Sequence, residues 1–291
     1  MRSTLILVSL VTVGSVLAGA PLRQVPPAQI AVSPSRFELS IGSQATTESL
    51  SLFNYGDDPV EIRVSVANWD LDENNSVRIL RPTEQSLDQW LVINPLRFSI
   101  PPNKSQTVRF SIRPRVRPEP GEHRAMIYFD QVLPEESPRA LQIRFRVGVA
   151  VYGHAGEVTR IGKLNSIQVS AANPVQVRFD ISNVGSSNVR IVGEFAVWRA
   201  DRYPGFERTK AIAAPRIDED SLPDGVLVAG RIPSRPVLPG TRRELTLQIS
   251  QRLPPGGYVL DLNGEMHGVA IDRGIPFTIP YPAQVKGAVS D

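Results

Sequence analysis

Apolar residues recur at every second position in short runs, and no stretch of the chain sustains a helical period. Val60, Ile62, Val64 and Val66 alternate with Glu61, Arg63 and Ser65, and Val108, Phe110 and Ile112 alternate with Arg109 and Ser111. The same pattern returns at Val175, Val177, Phe179 and Ile181, at Leu245, Leu247 and Ile249, and at Tyr258, Leu260 and Leu262. Successive side chains of an extended strand point to opposite faces, so each run is a strand with one face for a core and one for solvent. The 26 prolines and 21 glycines, with Asn and Asp, supply the turns between runs. The expected class is all-β, built of antiparallel sandwiches.

One run exceeds the rest. From Leu141 to Val151 every odd position is apolar: Leu141, Ile143, Phe145, Val147, Val149 and Val151. Arg144 and Arg146 stand on the other face. At ~3.3 Å per residue such a strand reaches roughly 36 Å, about twice the usual length. It is either a core strand buried over its whole length, or a strand that offers part of its apolar row to another molecule.

The two halves echo each other. Asn54-Tyr55-Gly56 before Val60 and Ile62 is matched by Asn183-Val184-Gly185 before Val189 and Ile191. Ile100-Pro101-Pro102-Asn103 is matched by Val237-Leu238-Pro239-Gly240, and Pro118-Glu119-Pro120-Gly121 by Leu253-Pro254-Pro255-Gly256. The same order at near-constant offset predicts two tandem immunoglobulin-like β-sandwich domains, residues 21–152 and 158–291. They would be joined by a flexible linker over 153–157, with a loose tail from Tyr281 to Asp291.

Residues 1–20 read as a cleaved signal peptide: Arg2, an apolar stretch through Val16 and Leu17, then the small residues Ala18 and Ala20. The mature chain is expected outside the cytoplasm, with no membrane insertion. Without cysteines, each domain has to hold together by packing alone. A formal charge of +3, or +2 once Arg2 is removed, implies no global field for a polyanion. Arg109, Arg113, Arg115 and Arg117 read as a solvated sheet face, because interleaved aromatics are sparse, and no nucleic-acid partner is expected.

Catalytic and metal motifs fail on inspection. Asp70 to Asn75 lacks the glycine of a calcium loop at its sixth position, and Arg81 stands where the twelfth-position glutamate is needed, so a polar hairpin is expected. His123, His154 and His267 are scattered and no cysteine joins them. Gly156 to Lys163 misses phosphate-loop spacing, and no Gly-x-Ser-x-Gly elbow occurs. Trp69, Trp90 and Trp198 are expected in packing roles. Neither enzyme activity nor a cofactor is expected.

Ser33-Pro34-Ser35-Arg36-Phe37, Leu52-Phe53-Asn54-Tyr55-Gly56 and Trp90-Leu91-Val92-Ile93-Asn94-Pro95 resemble the amino-terminal domain of periplasmic pilus-assembly (chaperone-usher) chaperones. Gln106 to Phe110, Gly121 to Phe129 and the long strand continue that resemblance in the family's order, over roughly Ile30 to Tyr152. It implies a periplasmic protein of fimbrium biogenesis that captures pilin-like subunits by donor-strand complementation and delivers them to an outer-membrane usher. By position, the subunit-binding row would be Leu141, Ile143, Phe145, Val147 and Val149, with Val149 and Val151 at the end nearer the protein's own core. The resemblance also implies a basic pair that holds the subunit's terminal carboxylate. Arg36 stands at the first position, and Ala150 stands where a lysine is expected. Either Arg146 or Arg144 then substitutes, or Arg36 works with another group. Self-association through the exposed strand edge is a further implication. A rival class is a structural or adhesive envelope protein that binds a partner through loops.

Overall fold

The computed structural model describes residues 30–42, 44–133, 144–172, 174–212 and 222–281. The expected signal peptide, Leu141 and Ile143, and all of the expected tail after Tyr281 lie outside the described residues.

The first sandwich is built from β1 (Ile30–Ser33), β2 (Arg36–Ile41), β3 (Thr46–Asn54), β4 (Val60–Leu71), β5 (Val77–Leu80), β6 (Leu91–Asn94), β7 (Arg97–Ile100), β8 (Ser105–Ile112), β9 (Gly121–Val132) and β10 (Arg146–Ala155). One sheet has the order β1-β3-β8-β6. The other has the order β2-β10-β9-β4-β5, with β7 also on β4. The chain changes sheets between Ser33 and Arg36, so β1 pairs antiparallel with β3 whereas β2 pairs parallel with β10. The inward rows foreseen from the alternation fill the core. Ile62, Phe110, Phe129, Val149 and Val151 are among its fully buried members, and Trp90 joins them.

The second sandwich is built from β11 (Gly162–Ser170), β12 (Val175–Asn183), β13 (Val192–Arg199), β14 (Val226–Arg231), β15 (Arg242–Ile249), β16 (Gly256–Met266), β17 (Val269–Ala270) and β18 (Arg273–Ile279). Its sheets are β11-β12-β15 and β14-β13-β16-β17, with β18 also on β16. Phe179, Ile181, Leu245, Leu260 and Leu262 lie in a core separate from the first.

The sequence echo has a physical basis in two buried asparagines. The Asn54 side chain donates to the Asp58 carbonyl (2.8 Å) and the Ile100 carbonyl (3.0 Å), and its Oδ1 accepts from the Gly56 N–H (2.9 Å). Asn183 repeats the arrangement, donating to Ser187 and Val237 (both 2.8 Å) and accepting from Gly185 (2.9 Å). Each ties a turn to a distant strand and leaves no buried amide group unpaired.

One expectation takes a different form, and another holds. Gly153 to Ala155, expected within the linker, are the last residues of β10, paired with β9 on one side and β2 on the other. Asp70 to Asn75 is the expected hairpin, with Asp72 Oδ1 accepting from the Asn74 and Ser76 N–H groups (both 2.9 Å) where β4 turns toward β5.

Candidate functional site

The two edges of β10 differ along its length. On the β9 side the ladder runs through the whole strand, from Arg146 opposite Asp130 to Ala155 opposite Gly121. On the β2 side pairing begins only at Ala150, which faces Arg36. Among the described residues nothing pairs with that edge over Arg146 to Val149, so its backbone groups are open to another strand. The side chains change at the same place. Val149 and Val151 are fully buried, whereas Val147 is half-buried and Phe145 packs only partly against the core. Val149, expected in the subunit-binding row, is therefore a residue of the protein's own core. β9 and the opposite sheet already enclose it, and no area is left to offer.

The other face of β10 turns toward the second sandwich. Tyr152 is buried with Trp69, Leu71, Met126 and Leu238, an apolar contact that Leu238 completes from the second sandwich. Gly148 lies on this face, and a Cβ there would come within 2.9 Å of the Met126 sulfur, so the bare backbone is what lets Met126 lie across the strand.

Arg36 and Arg146, the expected carboxylate pair, are not brought together. Arg36 stands opposite Ala150, four strand positions from Arg146, or roughly 13 Å. Arg146 is committed elsewhere: its guanidinium pairs with Asp130 on β9 and lies over the Tyr128 ring at 4.9 Å. The Asp130 carboxylate raises the Arg146 pKa. Arg146 is thus a cross-strand partner of Asp130, and its place at the open end of β10 keeps it out of the inter-sandwich cleft.

Arg36 instead lines a cleft of about 340 Å³ between the sandwiches. Its floor is Trp69, Leu71, Met126 and Tyr152, and two further cations, Arg190 and Arg235, reach it from the second sandwich. Among the described residues no carboxylate lines it. Arg190 is buried and hydrogen-bonded only to neutral acceptors: Asn188 Oδ1 (3.1 Å), the Ser234 carbonyl (3.0 Å) and the Tyr152 hydroxyl (2.7 Å). Burial lowers its pKa, and the nearby charge of Arg36 acts in the same direction.

Behind the cleft, Glu122 on β9 ties the sandwiches together. Its carboxylate accepts from the Asn188 N–H and Nδ2 (both 2.7 Å) and from the Ser187 hydroxyl (3.1 Å), and lies 3.1 Å from Arg124 and 3.7 Å from His154. Burial alone would raise its pKa, but the His154 ring, the Asn188 donors and Arg124 outweigh it and hold the carboxyl down to about 2. Arg243 adds hydrogen bonds from the second sandwich to the Asp72 carbonyl and the Leu71 carbonyl, the latter at 2.9 Å.

Among the described residues no group of three His, Cys, Asp or Glu could hold a metal ion, and no helix is long and apolar enough to cross a membrane.

No family model matches the chain, and no curated protein matches it. Among solved structures it is similar to the class 5 fimbriae chaperone CfaA, at 14% identity over 87% of this chain and 100% of that one, with a TM-score of 0.41. It is also similar to the complex of the chaperone CsuC with CsuE from Acinetobacter baumannii, at 12% identity over 86% and 98%, with a TM-score of 0.43. A third similarity is to the Salmonella enterica SafA pilin in complex with the SafB chaperone, at 12% identity over 88% and 98%, with a TM-score of 0.41.

Proposed function

We propose that the protein is a periplasmic chaperone of pilus or fimbrial subunits, which captures a subunit by strand addition at the open edge of β10 and delivers it to an outer-membrane usher. The observation that carries this reading is the split in β10. Among the described residues nothing pairs with one edge over Arg146 to Val149, and Phe145 and Val147 present apolar surface beside it. An extended partner lying along that edge satisfies the free backbone groups while these side chains enter its groove. Each large apolar side chain fully buried in this way contributes ~1.5–3 kcal/mol before ordering costs. Leu141 and Ile143 extend the same row in the sequence. Arg36, at the inner end of the track, receives the subunit's terminal carboxylate. An exported location follows from residues 1–20.

The test is capture. Co-expressed with a pilin-like subunit, the wild-type protein is expected to copurify with it, and Phe145→Asp is expected to lose the subunit while unfolding within a few degrees of wild type. Wild-type protein that retains no subunit, or Phe145→Asp protein that retains it fully, overturns the reading. A partner held through loops, insensitive to Phe145→Asp, returns the protein to the class of structural or adhesive envelope proteins. A second copy of this chain bound at the edge in place of a subunit leaves self-association as the edge's use.

A further inference from the structure

The echo between the two sandwiches extends to their last long strands. Pro118-Glu119-Pro120-Gly121 leads into β9 as Leu253-Pro254-Pro255-Gly256 leads into β16, and β10 and β18 each pair antiparallel with that neighbour. The surroundings of β18 differ. In the second sandwich β11 pairs only with β12, in the other sheet, so no described strand takes the place that β2 holds beside β10. Among the described residues the outer edge of β18 is unpaired over all 7 residues, while Ile275, Phe277 and Ile279 lie half-buried on the second core. An open edge beside an apolar row is a template for another strand. β18 nevertheless carries Pro276 at its midpoint, whereas β10 holds no proline from Arg146 to Ala155.

The place of this proline in the ladder decides what it does. Residues along a strand aim their backbone groups alternately at one neighbour and the other, and a proline, which has no N–H, is tolerated in a sheet where its nitrogen faces away from the partner. Pro276, opposite Val259 on β16, therefore faces the outer edge, and Gly274 and Thr278 share its direction. The two outward N–H groups that remain stand four residues apart, or roughly 13 Å, with a ring carbon between them where a partner's carbonyl would have to approach. Packing accounts for Gly274, because the Tyr203 ring fills the space that a Cβ would take. It does not account for Pro276, which is exposed. We propose that Pro276 bars the outer edge of β18 from strand addition, above all from antiparallel pairing with the β18 of a second copy of this chain, where two prolines would meet at the two-fold axis. The inference stands apart from the subunit-capture reading, since it concerns an edge which that reading does not use.

Sedimentation equilibrium of the full chain tests it, with Phe145→Asp present in every sample so that the β10 edge does not contribute. Pro276→Val restores one donor per copy and is expected to tighten the dimer dissociation constant by about tenfold or more relative to the protein that keeps Pro276, the size of two hydrogen bonds regained. Thr278→Val adds an exposed apolar side chain at the next outward position without adding a donor, and is expected to leave that constant unchanged. Hydrogen exchange places the contact. The Gly274 and Thr278 amides are expected to exchange fast while Pro276 is present and to slow with concentration in Pro276→Val. An unchanged dissociation constant in Pro276→Val overturns the proposal, as does association that leaves the two amides fast, or equally strong association of Thr278→Val. Gly274 and Thr278 amides already protected in the presence of Pro276 also overturn it, since the edge is then covered by something else. Should Pro276→Val fail to fold, Pro276→Ala, which restores the same donor, takes its place under the same criteria.

Discussion

The two halves of β10 share one ladder with β9 and differ in everything else. From Ala150 to Ala155 the strand is central in its sheet, with β2 on its second edge, Val151 in the core and His154 beside Glu122 at the junction with the second sandwich. From Arg146 to Val149 no described residue pairs with the second edge, and the apolar row emerges progressively from the core. The position of the last β2 partner thus divides one continuous alternation into a part that holds the fold together and a part that can serve another chain. The same residue types do opposite work according to whether a neighbouring strand is present.

The largest expected effect lies in the enclosed half. Val151→Asp places a carboxylate in a fully buried site without a partner and is expected to unfold the first sandwich, a loss of more than about 4 kcal/mol. Phe145→Asp, on the same apolar row but at its open end, is expected to cost about 1 kcal/mol or less. Urea denaturation of the two variants measures the contrast, and equal destabilisation would erase it.

Next in size is the lock behind the enclosed half. The Glu122 carboxyl, held at about 2 against an ordinary 4.5, contributes stability that is fully present above pH 4.5 and is lost as pH falls toward 2. The contribution is on the order of 3 kcal/mol. Glu122→Gln is expected to lower stability at pH 7 by a similar amount and to flatten the acid limb of the stability profile between pH 5 and 2, on the scale set by one carboxyl. An unchanged acid limb in the variant would show that Glu122 does not tie the first sandwich to the second.

The smallest effect is the most local. Hydrogen exchange is expected to be slow throughout Ala150 to Ala155, and fast at those amides of Arg146 to Val149 that point away from β9. Adding a subunit is expected to slow only the latter. Uniform protection of the free strand would mean that its edge is already covered.

Much of the fold is legible in local sequence patterns. The period-two runs name the inward rows, and the Asn54 and Asn183 turns mark the repeat, because alternation and short-range hydrogen bonding are local properties. The candidate site is legible in part. Phe145, Val147 and Arg36 can be read from the sequence, but Val149 cannot be separated from its neighbours, since nothing in its own segment says where β2 stops. Arg146 and Arg36 have the look of partners on one face, yet register with β9 gives Arg146 to Asp130. Arg190 escapes a sequence reading for a related reason. It stands between the buried Val189 and Ile191, so alternation turns it outward, and outward at that position means toward the other sandwich.

What the chain's order of residues determined alone is a set of two-faced strands, their turns and a duplicated sandwich, since each depends on neighbours a few positions apart. Which strand edge stays open, which valine is enclosed and which arginines share a cleft were decided only by tertiary pairing. Those outcomes depend on where distant segments meet, and a one-residue change in register would reassign them without altering a single local pattern.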